Sequence, residues 1–160
     1  MIIVTEMKRS RIRLAVYGLL TAAVMCLIYY LSAQNGDESG NLSRWLMETA
    51  IGKFLLRILP PLTDSGAALD IRKYAHLAEY TMLAVFSGMF YRELMCEPVP
   101  KRALCFSALH SFLYACSDEY HQTFVDGRIG QFSDVLIDMI GVFTGILLVF
   151  LFAGLRKDRS

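Results

Sequence analysis

The chain has 160 residues, of which 55% are hydrophobic and 19% are charged, and its formal net charge at pH 7 is +1. This composition excludes a disordered chain, and the near balance of 16 basic and 15 acidic residues excludes the basic excess of a nucleic-acid-binding protein. Residues 14–31 contain no charged side chain, a pattern typical of a transmembrane helix and not of a soluble core helix. We therefore predict a membrane protein.

Four segments approach the length of about 20 helical residues that crosses a bilayer. They cover about residues 14–31, 72–91, 102–119 and 134–155. The sequence thus predicts an all-α, polytopic fold, with four transmembrane helices in a single domain over residues 1–160. Three later spans favour a membrane anchor over a cleaved signal peptide for the first. With the N-terminus inside, the inner side carries ten of the 16 basic residues, so the positive-inside rule places both termini in the cytoplasm.

An amphipathic segment, residues 41–59, lies between the first two spans. Its two pieces have shifted apolar faces, the first around Trp45 and the second around Phe54, with Gly52 expected near the join. The segment could lie on the outer membrane surface or pack over the helix bundle as a lid.

Ionisable side chains inside the predicted spans carry the functional argument, because each costs about 2.5 to 3.5 kcal/mol at a helix centre and must be compensated. The second span concentrates such side chains, with one tyrosine, within a helical arc of roughly 120°. They are Arg72, Lys73, His76, Glu79 and Tyr80. This stripe is expected to face protein or water, not lipid.

The third span carries Asp118 and His121 on one helical face if the helix continues to residue 121, and Glu119 then points the opposite way. Either the helix ends before Glu119 or that carboxylate has a different contact.

The fourth span begins with Asp134 and Asp138, one helical turn apart. The same face continues through Gly141 and Gly145, a G-x-x-x-G pair that lets another helix approach closely, either within the chain or in a homo-oligomer. The acidic face is therefore predicted to face the bundle. Nearly all of these polar groups converge at the outer leaflet, where the turn before the fourth span adds an exposed Arg128.

Two sequence blocks resemble the signature of the VanZ-like family. They are RKYAHLAEY at residues 72–80 and SDEYHQTFVDGR at residues 117–128, followed by Asp134 and Asp138. The resemblance implies a small multi-pass protein of the bacterial cytoplasmic membrane and cell envelope, linked to low-level resistance to the glycopeptide teicoplanin. It implies no agreed reaction.

The resemblance and the polar stripes together select the candidate site residues. The binding candidates are Arg72, Lys73, Tyr80, Gln122 and Arg128. The catalytic candidates are His76, Glu79, Asp118, Glu119 and His121. The weaker candidates for a divalent cation are Asp134 and Asp138.

Three hypotheses follow. In the first, the cations hold the phosphate of an outer-leaflet lipid, for which undecaprenyl-linked envelope precursors are the natural candidates. In the second, the carboxylates hold a divalent ion beside a histidine base, as in a metal-dependent hydrolase or transferase. In the third, the charges form a structural network in which Lys73 and Arg128 neutralise Asp134 and Asp138, with or without proton conduction.

Overall fold

The computed structural model describes residues 2–59, 66–96 and 101–157, which form six α-helices and no strand. The helices are α1 (Ile2–Ser32), α2 (Gly36–Glu48), α3 (Ala50–Ile58), α4 (Ala67–Met95), α5 (Lys101–Gln122) and α6 (Phe132–Lys157). The predicted all-α class is confirmed over these ranges. The four predicted spans fall within α1, α4, α5 and α6, each of which is longer than expected.

Two of the described helices are long and apolar enough to cross a membrane, over Ser10–Ser32 in α1 and Phe132–Phe152 in α6. In contrast, α4 and α5 carry the polar stripes at one end. The charged residues of these stripes lower the apolar character of both helices.

Helix α4 lies at the centre of the bundle and packs against α1, α2, α5 and α6. Gly141 and Gly145 of α6 lie close to the backbone of α4, because a Cβ atom at Gly141 would overlap the carbonyl oxygen of Leu77 and one at Gly145 would lie 2.5 Å from that of Thr81. The hydroxyl of Thr81 donates a hydrogen bond to the carbonyl of Gly141 at 3.0 Å. The predicted close contact is confirmed, and its partner in this chain is α4.

The apolar core lies beside this contact. Its buried members come from α1, α4, α5 and α6, and they are Val24, Ile28, Tyr80, Leu83, Ala84, Ala115, Val135 and Val142. Many large apolar side chains on the outer faces of α1, α5 and α6 are exposed.

The segment between α1 and α4 forms two helices whose join is at Thr49 and not at the expected Gly52. Thr49 ends α2 and also caps α3, where its hydroxyl accepts a hydrogen bond from the backbone N–H of Gly52 at 3.0 Å. Helix α2 packs on α4. By contrast, Ile51, Phe54 and Ile58 leave an apolar face of α3 exposed.

Candidate functional site

A buried hydrogen-bond network ties the end of α1 to the end of α5. The hydroxyl of Ser32 donates to Asp118 Oδ2 at 2.9 Å. The amide of Gln122 is fully buried and donates to Asp118 Oδ2 at 3.2 Å and to Glu119 Oε1 at 3.3 Å. Because these side chains satisfy one another's hydrogen bonds, they have a structural role. We call Ser32, Asp118, Glu119 and Gln122 the structural joint.

Glu119 has the separate contact that the sequence left open. Helix α5 continues to Gln122, and Glu119 Oε2 accepts the backbone N–H of Gln131 at 2.9 Å. The carboxylate therefore holds the loop that leads into α6.

Arg128 lies in the loop between α5 and α6 and binds the end of α1. Its Nε donates to the carbonyl oxygen of Gln34 and its Nη2 to that of Leu31, each at 2.8 Å. Cationic donors suit this position, because the last carbonyls of a helix lack partners and carry the negative end of its dipole. The side chain is only 8% exposed, so the expectation of an exposed Arg128 is wrong.

The third guanidinium nitrogen of Arg128, Nη1, is buried and has no hydrogen-bond partner among the described residues. Burial, and next the neighbouring Arg72, lower the pKa of Arg128 to about 10. The guanidinium therefore stays positively charged at neutral pH, and one of its strong donors remains available.

Two pairs of polar residues connect α4 to α6. Lys73 Nζ lies 2.8 Å from Asp134 Oδ1, which is the ion pair expected from the structural hypothesis. The expected pairing of Arg128 with Asp138 is not observed. Instead, His76 Nδ1 lies 3.7 Å from Oδ1 of the buried Asp138, because Arg128 is directed to the end of α1.

A cavity lies between the end of α1, helix α2, helix α4 and Arg128, and we call it the α2–α4 cavity. Its polar lining comes from Gln34, Ser39, Ser43, Arg72, His76, Glu79 and Arg128, and its apolar lining from Leu31, Leu42, Leu46, Ile71 and Ala75. It leaves about 40 Å³ open to the centres of water molecules, which is room for about three waters. Buried Glu79 Oε2 has no hydrogen-bond partner in the described part of the chain.

A smaller polar cavity lies on the other side of Arg72 and His76. Its lining adds Lys73, Glu119, Asp134, Ile137 and Asp138. The space open to the centres of water molecules is about 10 Å³, enough for about one water. Among the described residues, no three His, Cys, Asp or Glu side chains are grouped so that they could hold a metal ion. Asp134 is held by Lys73, so the donors found here do not fit the divalent cation considered from the sequence.

Four candidate residues lie outside both cavities. Asp118 and Gln122 belong to the hydrogen-bond network described above, and the other two are Tyr80 and His121. Tyr80 is fully buried in the apolar core and its ring lies 6.4 Å from that of Tyr114. His121 packs against Tyr29 of α1, with ring centroids 4.9 Å apart. Neither lines the α2–α4 cavity or its smaller neighbour.

The sequence predicted an amphipathic segment at residues 41–59 that could pack over the bundle, but the polar lining that α2 gives the cavity was missed. Ser39 and Ser43 are buried one turn apart, and Leu42 and Leu46 lie beside them in the lining. A serine pair and a leucine pair, each at a spacing of four, are the signal that could have indicated an amphipathic wall.

Comparison with known proteins identifies the family of the chain. The model of the family described as VanZ/LLP1 matches residues 17–153. The chain belongs to the VanZ-like family. The match spans every residue of the α2–α4 cavity and of the α1–α5 network. No curated protein and no solved structure matches the chain.

Membership in the VanZ-like family and the two apolar helices together indicate a membrane protein. They are consistent with a link to glycopeptide resistance. In this VanZ-like protein, the motif contributes an internally satisfied joint around Asp118 and a cavity in which Arg128 and Glu79 keep polar atoms without partners among the described residues. Tyr80, His121 and Asp138 keep such atoms outside this cavity.

Proposed function

We propose that the protein binds the phosphate headgroup of an envelope lipid, of the polyprenyl-phosphate or peptidoglycan-precursor type, in the α2–α4 cavity. In this proposal α1, α4, α5 and α6 all cross the bacterial cytoplasmic membrane and both termini are cytoplasmic. The cavity then lies at the outer leaflet, where glycopeptides meet their lipid-linked targets. Occupying or moving such a lipid would contribute to teicoplanin tolerance.

The observation that carries the proposal is the buried, unpaired Nη1 of Arg128 in a residue that lines the cavity. A buried donor without a partner costs about 1 to 3 kcal/mol, and more when it is charged. A phosphate oxygen would remove that cost, since charge-assisted bonds to guanidinium are among the stronger hydrogen bonds in proteins.

Arg72 adds a second cation to the same lining. Its guanidinium reaches Gln122 Oε1 at 3.4 Å, a long contact that leaves hydrogen-bonding capacity for a ligand. Leu42, Leu46 and Ile71 supply the apolar wall on which the lipid chain would lie.

A structural role is the second candidate, and the satisfied contacts around Asp118 favour it for that part of the motif. It does not account for the placement of Arg128 Nη1 and Glu79 Oε2 in the lining of one cavity. The other buried side-chain atoms without partners among the described residues belong to Tyr80, Ser111, His121 and Asp138, which do not line it.

The direct test is the thermal stability of the purified protein with undecaprenyl phosphate. At a lipid concentration about 100 times the dissociation constant, linkage stabilises the folded state by about 2.7 kcal/mol. For a chain of this size that corresponds to a rise in melting temperature of roughly 5 to 10 °C.

Arg72→Ala is the informative variant, and Arg44→Ala is its matched control. Arg44 is an exposed arginine of α2 that bonds Asn41 and does not line the cavity. We expect Arg72→Ala to lose most of the shift and Arg44→Ala to keep it. No shift in the wild type at saturating lipid would refute the proposal. An equal shift with inorganic phosphate would show that the apolar wall contributes nothing, and would refute a lipid ligand.

A further inference from the structure

The α2–α4 cavity has an unpaired acceptor as well as an unpaired donor. Glu79 is 6% exposed and Arg128 is 8% exposed, and both line the cavity. Glu79 Oε2 and Arg128 Nη1 are both buried without a hydrogen-bond partner among the described residues, and the two side chains form no ion pair with each other there. A ligand that satisfies both presents an acceptor to Arg128 and, with Glu79 ionised, a hydrogen to Glu79.

The size of the cavity limits that ligand further. Space for the centres of about three waters suits one phosphate group. The chain that carries the phosphate would leave along Leu42, Leu46 and Ile71.

We propose that the cavity selects a membrane lipid that ends in a phosphate monoester. This inference rests on the function proposed above and specifies its ligand. A monoester in its singly protonated form has oxygens that accept from Arg128 and one hydroxyl that donates to Glu79. A phosphodiester has only accepting oxygens, so the Oε2 of an ionised Glu79 would stay unpaired and the carboxylate would repel the anion.

A pair of lipids that differ by one methyl group tests this selection. Dioleoyl phosphatidic acid is a monoester, and dioleoyl phosphatidylmethanol is the corresponding diester with the same acyl chains. Each is titrated into the purified full-length protein, and the dissociation constant is obtained from the thermal shift. We expect phosphatidic acid to bind roughly ten-fold more tightly, the scale set by one buried acceptor left unpaired.

The matched variants are Glu79→Gln in the cavity and Glu48→Gln at the exposed end of α2. The amide of Glu79→Gln carries its own hydrogens and can donate to a diester. The ratio of the dissociation constants of the two lipids should therefore fall to about one. Glu48→Gln should keep the preference of the wild type. If Glu79→Gln does not fold, the ratio of the dissociation constants of the two lipids for the wild type still tests the selection of a monoester.

The outcomes separate this inference from the proposed function. If neither these lipids nor undecaprenyl phosphate shifts the melting temperature, the proposed function fails. If both lipids bind the wild type equally, the phosphate site stands and the monoester selection is refuted. The same preference for phosphatidic acid in Glu79→Gln would also refute the monoester selection, because Glu79 would then not be the group that distinguishes the two lipids.

Discussion

Replacing Gly145 by alanine should separate α6 from α4. The added Cβ would lie 2.5 Å from the carbonyl oxygen of Thr81 and 2.8 Å from the Cβ of Ala84. Neither is the end of a flexible side chain, so the backbones must move apart. Reaching the 3.0 to 3.4 Å at which real Cβ contacts begin requires a shift of about 0.5 to 0.9 Å.

Overpacking of this kind costs about 1 to 3 kcal/mol, and the better helix propensity of alanine offsets at most about 1 kcal/mol. The net loss of up to about 2.5 kcal/mol corresponds to a fall in melting temperature of up to roughly 10 °C. The assay is the fraction of monodisperse protein left after heating in detergent, measured by size-exclusion chromatography.

Gly88→Ala is the matched control for this substitution. Gly88 is a buried glycine of α4, but a Cβ there would meet its nearest neighbours, Leu104, Val149 and Ser107, at 3.5 to 3.7 Å, which is ordinary contact. We expect its melting temperature to be unchanged or slightly raised. Because both substitutions gain the helix propensity of alanine, equal melting temperatures for Gly145→Ala and Gly88→Ala would refute the close packing of α4 on α6.

Three further predictions concern the polar contacts, all measured by thermal unfolding in detergent. Arg128→Ala should lower stability by about 3 kcal/mol even without lipid, because two charge-assisted bonds to α1 are lost; an unchanged melting temperature would contradict this. Lys73 and Asp134 should show a coupling energy of roughly 1 kcal/mol in a double-mutant cycle, and zero coupling would show that the pair is not formed. Ser32→Ala should cost about 1.5 to 3 kcal/mol, since a buried carboxylate loses a donor, whereas Ser117→Ala, at an exposed serine of α5, should cost little.

The sequence was sufficient to predict the helices and the direction in which their polar faces point. An uncharged run such as 14–31 and a regular spacing such as that of Gly141 and Gly145 depend only on local geometry, so they identify the helices and the side that packs. The membrane also restricts the alternatives, because buried backbone groups must be satisfied within each helix.

What could not be predicted was which polar partners meet across helices. Arg128 was expected to be exposed because it lies in the short turn before the fourth span. Its burial depends on the end of α1 lying against the loop, where the backbone N–H of Gly36 donates to the carbonyl of Asp126 at 2.9 Å. The contact of Glu119 with the backbone N–H of Gln131 could not be predicted either. These pairings join residues far apart in the chain, and helical periodicity carries no information about them.

The division of the motif into a structural joint and an open cavity was likewise inaccessible from sequence. Asp118 and Glu79 are both acidic residues in predicted spans, yet Asp118 is satisfied by Ser32 and Gln122 whereas Glu79 keeps an unpaired oxygen. The consequence for experiment is that Arg128→Ala mixes a folding effect with a binding effect, so Arg72 is the better probe of the site.

The most direct test of the headgroup site is native mass spectrometry of the protein extracted gently from its own membrane, with Arg72→Ala and Arg44→Ala analysed in parallel. We predict a phosphorylated lipid adduct on the wild type and on Arg44→Ala that is absent from Arg72→Ala. Bare protein in all three samples, or the same adduct in all three, would contradict a phosphate-binding site in the α2–α4 cavity.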